Sequence, residues 1–234
     1  MPNLIGLLSD AHGNGPAFDL AVELLLAHGA RRIFFLGDAV GYVPSTDVLD
    51  SLARLGDLVQ CIRGNHEAML LEKHIDVARE PLYQFEALRP KLTNDQQLMI
   101  AAWPASYTEM IDGQKVLLVH GSPSDPTYGY VYPDTDLAAF TPDADWVFMG
   151  NTHHPFIRDQ AGTRYVNIGS CGMPRDDGRY GSAALVNIEA ISVRILRFDI
   201  TQATSLVLEQ FPNVHPLVRE LYERRRTFVM GDIL

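Results

Sequence analysis

The chain has 234 residues, 47% apolar and 21% charged, proportions that fit a globular fold and exclude a disordered or repetitive polymer. Its formal net charge is −10, with Arg224-Arg225-Arg226 as the short basic run, which argues against a nucleic-acid polymer or an anionic membrane as partner. A small phosphorylated ligand drawn to a local metal centre remains compatible with that charge.

No apolar run approaches the roughly 18 residues of a membrane span. The first residues lack the basic start and small-residue cleavage site of a signal peptide. Cys61 and Cys171 make no disulfide framework and read as buried thiols in a reducing compartment. We therefore expect a cytoplasmic protein, with one domain spanning 1–234.

In chain order, Leu4 to Leu8 predicts a buried strand that stops at Asp10-Ala11-His12-Gly13-Asn14. Ala17 to Ala27 has apolar residues at helical spacing, closed by Gly29. Arg32 to Leu36 is a second strand ending at Gly37-Asp38, and Pro44 to Leu55 a short helix. A third strand, Leu58 to Ile62, ends at Gly64-Asn65-His66-Glu67. From Ala68 to Trp103 the chain reads as helical pieces broken at Pro81 and Pro90, the last capped by Thr93 with Gln96 three residues later. This segment predicts a helical insertion beside the sheet.

Beyond it the chain becomes strand-rich. Tyr107 to Ile111 and Val116 to Val119 flank the hairpin signal Asp112-Gly113, and the second of them ends at His120-Gly121-Ser122. Trp146 to Met149 ends at Gly150-Asn151-Thr152-His153-His154. Phe156 to Asp159 pairs with Arg164 to Ile168, and Tyr180 to Ile188 with Ser192 to Phe198. The tail, Thr201 to Arg226, reads as two helices parted near Pro212-Asn213.

Five apolar strands thus end at Asp10/His12, Asp38, Asn65/His66, His120 and Asn151/His153. In α/β sheets, ligands bind beyond the carboxyl ends of the strands, where side chains distant in sequence converge. One such residue alone is explained by a cap, a turn or a satisfied polar side chain. Five in succession at equivalent places are not. The set mixes oxygen and nitrogen donors and suits Mn²⁺, Fe or Zn²⁺ rather than a thiolate-selective ion.

Taken with their spacing, Asp10-Ala11-His12, Gly37-Asp38, Gly64-Asn65-His66-Glu67, His120-Gly121 and Gly150-Asn151-Thr152-His153 resemble the five ordered blocks of the calcineurin-like metallophosphoesterases. Val166-Asn167-Ile168-Gly169-Ser170 through Pro174-Arg175-Asp176 also resembles a stretch of their small bacterial phosphoesterase branch. The resemblance implies an α/β fold, a four-layer αββα sandwich, here with a small helical insertion over about 68–103. It implies two divalent metal ions, Mn, Fe or Zn. One would be held by Asp10, His12, Asp38 and His153, the other by Asp38 as a bridge with Asn65, His120 and Asn151. The implied activity is hydrolysis of small phosphomono- or phosphodiesters, nucleotides included, by in-line attack of a metal-bridging hydroxide. His66 would stabilise the transition state or protonate the leaving oxygen. Glu67 is either an orienting partner or a first-turn helix acid.

Two departures qualify the resemblance. Asn151 stands where the family presents histidine, which predicts a looser second site or one tuned toward a harder ion such as Mn²⁺; His154 is next in sequence, but on a strand it would point away from His153. Gly41 and Tyr42 stand where the protein Ser/Thr phosphatases carry an Asp-Arg pair, so phosphate contacts must come from elsewhere, with Arg175 or Arg179 as candidates. A protein phosphatase is the alternative enzyme reading. A non-catalytic interaction module, as in a retromer subunit of this fold, is the alternative from another class. Tyr128, Tyr130 and Tyr132 read either as a surface for a base or aryl group or as ordinary packing. Leu217 to Phe228 reads either as a homodimer helix or as a terminal helix docked on the sheet.

Overall fold

A computed structural model describes residues 3–72 and 76–234; residues 73–75 of the expected insertion lie outside them. The first half of the chain runs β1 (Leu4–Leu8), α1 (Gly15–Ala27), β2 (Arg32–Phe35), α2 (Asp47–Leu55) and β3 (Val59–Cys61). Four helices follow, α3 (Asn65–Leu71), α4 (Glu80–Tyr83), α5 (Phe85–Leu88) and α6 (Asn94–Ala102). Then come β4 (Ser106–Ile111), β5 (Gln114–Val119), β6 (Trp146–Met149), β7 (Phe156–Gln160) and β8 (Thr163–Asn167). The chain closes with β9 (Tyr180–Asn187), β10 (Ser192–Asp199), α7 (Thr201–Gln210), α8 (Pro216–Glu223) and β11 (Asp232–Ile233).

Two sheets form, in the orders β11-β10-β9-β1-β2-β3 and β4-β5-β6-β8-β7. β1, β2 and β3 are parallel, as are β5, β6 and β8, so their carboxyl ends gather at a common rim. Strands buried on both faces must be apolar at every position, which is why the strand signals were continuous runs. Alternation then divides each run. Ile5, Leu7, Phe34, Ala184 and Val186 of one sheet meet Val116, Leu118, Trp146, Phe148 and Val166 of the other in a shared core. Leu8, Ile33, Phe35 and Leu185 face outward onto α1, α2, α6, α7 and α8. Truncating Leu7, which has no exposed surface, to alanine would cost about 2–5 kcal/mol.

The sandwich is the expected one, with an uneven outer cover. The outer face of the second sheet, with Val119, Val147, Met149 and Tyr165, is closed by Val131 and Leu137 from the β5–β6 connection, whose regular structure is the single 3₁₀ turn Leu137–Ala139.

Local chemistry sets the element ends. The Asn14 side chain caps α1 by accepting from the Ala17 amide at 3.2 Å. α2 begins at Asp47 rather than at the expected Pro44, because Ser45 turns the chain and its Oγ accepts from the Asp47 amide at 3.1 Å. Thr93 and Gln96 form the expected reciprocal cap of α6. α8 buries Val218, Leu221 and Tyr222 against the chain itself, and the Tyr222 hydroxyl donates to the Gly172 carbonyl at 2.9 Å. Among the described residues, no helix is long and apolar enough to cross a membrane.

Candidate metal centre

The strand-end loops are laced together before their side chains are considered. The Asp10, His12 and Gly13 amides donate to the carbonyls of Gly37, Asp38 and Ala39 at 3.0, 3.0 and 2.8 Å, extending the β1–β2 ladder past both strands. Across the rim, the Gly150 amide donates to the His120 carbonyl and the Cys171 amide to the Ser9 carbonyl. Asp10, His12, Asp38, Asn151 and His153 all take left-handed backbone conformations, with φ between 50° and 62°. Asp, Asn and His tolerate this region better than most residues, yet each pays local strain that the surrounding hydrogen bonds must hold. That conformation turns the side chains into one cluster.

Every member of the cluster is buried. His153 Nε2 lies 3.1 Å from Asp10 Oδ1 and 3.1 Å from His12 Nε2. Asp38 Oδ2 is the hub: the Nε2 atoms of His120, His12 and His66 lie 3.3, 3.6 and 3.9 Å from it. His120 Nε2 is also 2.9 Å from Asn65 Oδ1. The other ring nitrogens explain what these short distances mean. Nδ1 of His12, His120 and His153 each faces a backbone carbonyl, of Val40, Leu36 and Met173. A proton on each Nδ1 satisfies that carbonyl and leaves the Nε2 lone pair aimed into the cluster. Lone pairs and carboxylate oxygens then face one another with no donor between them, and Asp10 Oδ1 has no hydrogen-bond partner.

Such a set needs positive charge. Burial would raise the Asp10 carboxyl, but His153 and His12 hold it well below the usual carboxylate range. Burial opposes ionisation of Asp38 as well, and His120 and His66 outweigh it, so this carboxyl too is lowered. Burial pulls His120 down, yet Asp38 and Asp10 push it up to about 10. A proton at His120 Nε2 occupies the place a cation could take. Among the described residues, the groupings able to share an ion are Asp10, His12 and His153; His12, Asp38 and His66; and Asp10, Asp38 and His120.

His66 sits at the edge of the cluster. Its amide donates to Asp38 Oδ1 at 2.9 Å, and its ring is walled by Tyr42, Tyr83 and Phe85 at centroid separations of 4.8, 4.6 and 5.6 Å. His66 Nδ1 has no partner. Burial, with neighbouring histidines adding to it against Asp38, lowers this imidazole to about 3. Glu67 orients the Asp38 loop rather than His66: its carboxylate accepts the amides of Asp38, Ala39, Val40 and Gly64 at 2.8, 2.7, 3.3 and 2.9 Å.

The remaining expectations divide. Asn151 donates through Nδ2 to the Gly129 carbonyl at 2.8 Å, and its amide donates to Asp10 Oδ2 at 3.1 Å. Arg175 reaches the cluster, donating to the Tyr42 hydroxyl at 3.0 Å, and its charge, after burial, lowers His153 to about 4. Arg179 does not: its guanidinium is committed to Asp177 at 2.9 and 3.0 Å. His154 points away, its ring 6.3 Å from that of Tyr132. Tyr42, Tyr83 and Phe85 gave no chemical signal in the sequence; only their position against His66 reveals them. Asn167 and Ser170 act as braces, Asn167 Nδ2 donating to the Gly150 carbonyl at 2.7 Å and Ser170 Oγ to the Asp10 carbonyl at 2.7 Å.

Phosphodiesterase YfcE of Escherichia coli strain K12 is 22% identical over 188 residues, covering 79% of this chain and 88% of its own. A probable metallophosphoesterase of Methanothermobacter thermautotrophicus is 26% identical over 208 residues, covering 87% and 97%. A hypothetical protein from Pyrococcus horikoshii OT3 shares the fold with a TM-score of 0.82 at 18% identity, over 94% of this chain and 97% of that one. The family model of the calcineurin-like phosphoesterase superfamily domain matches residues 4–190, which include every residue of the rim cluster, and the chain belongs to that superfamily.

Proposed function

We propose that the chain is a metal-dependent phosphoesterase that hydrolyses small phosphomono- or phosphodiesters at a two-ion centre. The observation that carries this reading is the convergence, in a buried rim, of the Asp10 and Asp38 carboxylates with the Nε2 atoms of His12, His120 and His153, with Asp10 Oδ1 left without a hydrogen-bond partner. The donor chemistry fits divalent cations. Asp10, His12, Asp38 and His153 would hold one ion; Asp38, Asn65, His120 and Asn151 would hold the other. With Nδ2 committed to Gly129, Asn151 has its amide oxygen left to offer. An oxygen in place of an imidazole favours a harder ion such as Mn²⁺ at that position.

When bound, such ions polarise phosphoryl oxygens and lower the pKa of the attacking water. The chain's own groups supply the rest. Glu67 fixes the Asp38 hub through the four amides its carboxylate gathers. His66 is neutral at physiological pH, so it acts as a hydrogen-bond donor where negative charge develops on the leaving oxygen. Arg175, half-buried and steadied by Tyr42, offers its guanidinium to a non-bridging phosphate oxygen. The protein Ser/Thr phosphatase alternative is weakened by Gly41, whose α-carbon packs on the His66 ring: an added Cβ would lie 2.8 Å from Cε1 and closer still to Nδ1. An Asp-Arg pair at 41–42 would require the His66 ring or this loop to shift.

The test is a substrate panel of 4-nitrophenyl phosphate and bis(4-nitrophenyl) phosphate with Mn²⁺ added or chelated. Wild type should turn over at least one of them only with metal, Asp38→Ala should be inactive, and His66→Gln should lose about 10²-fold or more. Turnover that survives both chelation and Asp38→Ala would overturn the reading.

A further inference from the structure

The connection that follows His120 carries three exposed aromatic rings, Tyr128, Tyr130 and Tyr132; the Tyr128 hydroxyl is engaged by Glu72, which leaves the other two with no role in the core. Val131 is fully buried beneath the second sheet, while Tyr130 and Tyr132 on either side of it project outward, 50% and 40% exposed. Their rings stack, with centroids 6.1 Å apart and planes within 9°. Tyr132 continues toward His154, its centroid 6.3 Å from that imidazole. The loop is held rather than loose. Asn151 Nδ2 ties Gly129 to the metal rim, Thr135 Oγ1 accepts the Tyr132 amide at 2.8 Å, and Arg158 donates to the Pro133 and Thr135 carbonyls. Exposed aromatic surface fixed in advance costs little entropy when a flat ligand covers it.

The surroundings state what such a ligand carries. In a chain of net charge −10, Arg175 and Arg224 come together, Arg224 Nη1 donating to the Arg175 carbonyl at 3.3 Å, and the Arg226 amide donates to Asp177 Oδ2 at 2.8 Å. Tyr130 directly follows Gly129, whose carbonyl accepts from Asn151 Nδ2 at 2.8 Å, so the platform begins one residue from the rim of the metal centre.

We propose that Tyr130 and Tyr132 form a stacking platform that selects phosphoesters bearing a nucleobase, with Arg175 and its neighbours on the anionic side of the ligand. This names the substrate class of the site and rests on the phosphoesterase reading above. Base–aromatic stacking is tolerant of base identity, so nucleoside phosphates as a class are the ligands.

Isothermal titration of the metal-loaded full chain with adenosine 5′-monophosphate and with ribose 5-phosphate tests it. Wild type should bind the nucleotide about tenfold or more tightly. In the Tyr130→Ala/Tyr132→Ala variant the two affinities should come within about twofold, and Tyr130→Phe/Tyr132→Phe should restore the preference. Equal affinities in wild type, or a preference that survives the double alanine change, would overturn the platform. Hydrolysis of 4-nitrophenyl phosphate and of bis(4-nitrophenyl) phosphate, measured alongside, separates the two ideas. No turnover with the nucleotide preference intact removes the hydrolase and keeps the platform; turnover without the preference does the reverse.

Discussion

Replacing Gly41 by alanine adds one methyl group at the point where the chain touches His66. Gly41 has φ of +88°, so any side chain there pays about 1–2 kcal/mol for left-handed backbone. The methyl would also come within 2.8 Å of His66 Cε1 and 3.0 Å of Cγ. The ring cannot swing aside freely, since Tyr42, Tyr83 and Phe85 wall it. Overpacking of this kind costs about 1–3 kcal/mol, for a total of about 2–5 kcal/mol. In a chain of 234 residues that is a fall in Tm of about 5–15 °C. Displacing His66 should also lower kcat by about 10²-fold or more while leaving metal content intact. Gly113 supplies the control: its φ is +79°, but an added Cβ there meets nothing within 4 Å. Gly113→Ala therefore loses the backbone part alone and keeps full activity. Calorimetry, metal content and turnover on both variants decide it. If Gly41→Ala is no less stable than Gly113→Ala and retains wild-type kcat, His66 does not rest on Gly41 and its assigned position is wrong.

Because the metal-free site holds His120 protonated, with its imidazole pushed up to about 10, metal binding at pH 7 should release about one proton from it. Titration in buffers of different ionisation enthalpy measures this, and zero release would contradict it. Asp177 is a buried carboxylate taking bonds from the Arg179 side chain and from the Arg179 and Arg226 amides. Burial opposes its ionisation, but these donors hold it below the usual range, so its contribution is complete above the unfolded value of about 3.9 and is lost as pH falls through the lower folded value. Asp177→Asn should be about 2–3 kcal/mol less stable at pH 7, with the gap to wild type constant above about pH 5 and closing below about pH 4. A gap that widens toward acid would refute this. Cys61 and Cys171 are buried thiols pushed up by desolvation, and native protein should resist a thiol-reactive disulfide reagent that titrates both after denaturation.

The rim of the site was legible because chemistry-bearing residues follow buried strands, and buried strands announce themselves as apolar runs. Asp10, Asp38, His120 and His153 could be placed at strand ends without knowing which strands were neighbours. Sheet membership was not legible: β9, β10 and β11 return to the first sheet after β4 through β8 have built the second, and no local signal encodes that return. The two-residue edge strand β11 falls below any periodic pattern. The walls of His66 were hidden for a similar reason. Tyr83 and Phe85 read as ordinary residues of a broken helical segment until that segment folds back on the site. Tyr42 sits at φ of 66°, a conformation its sequence gives no reason to expect. Glu67 was ambiguous between two roles, and tertiary structure resolved it by bringing the amides of Asp38, Ala39 and Val40 to its carboxylate as well as that of Gly64.

Metal stoichiometry tests the central claim most directly. Purified wild-type protein, stripped and then titrated with Mn²⁺, should bind two equivalents, and Asp38→Ala, which removes the hub oxygen facing His12, His66 and His120, should lose tight binding of both. A wild-type protein that binds no divalent ion, or an Asp38→Ala variant that binds as wild type does, would contradict it.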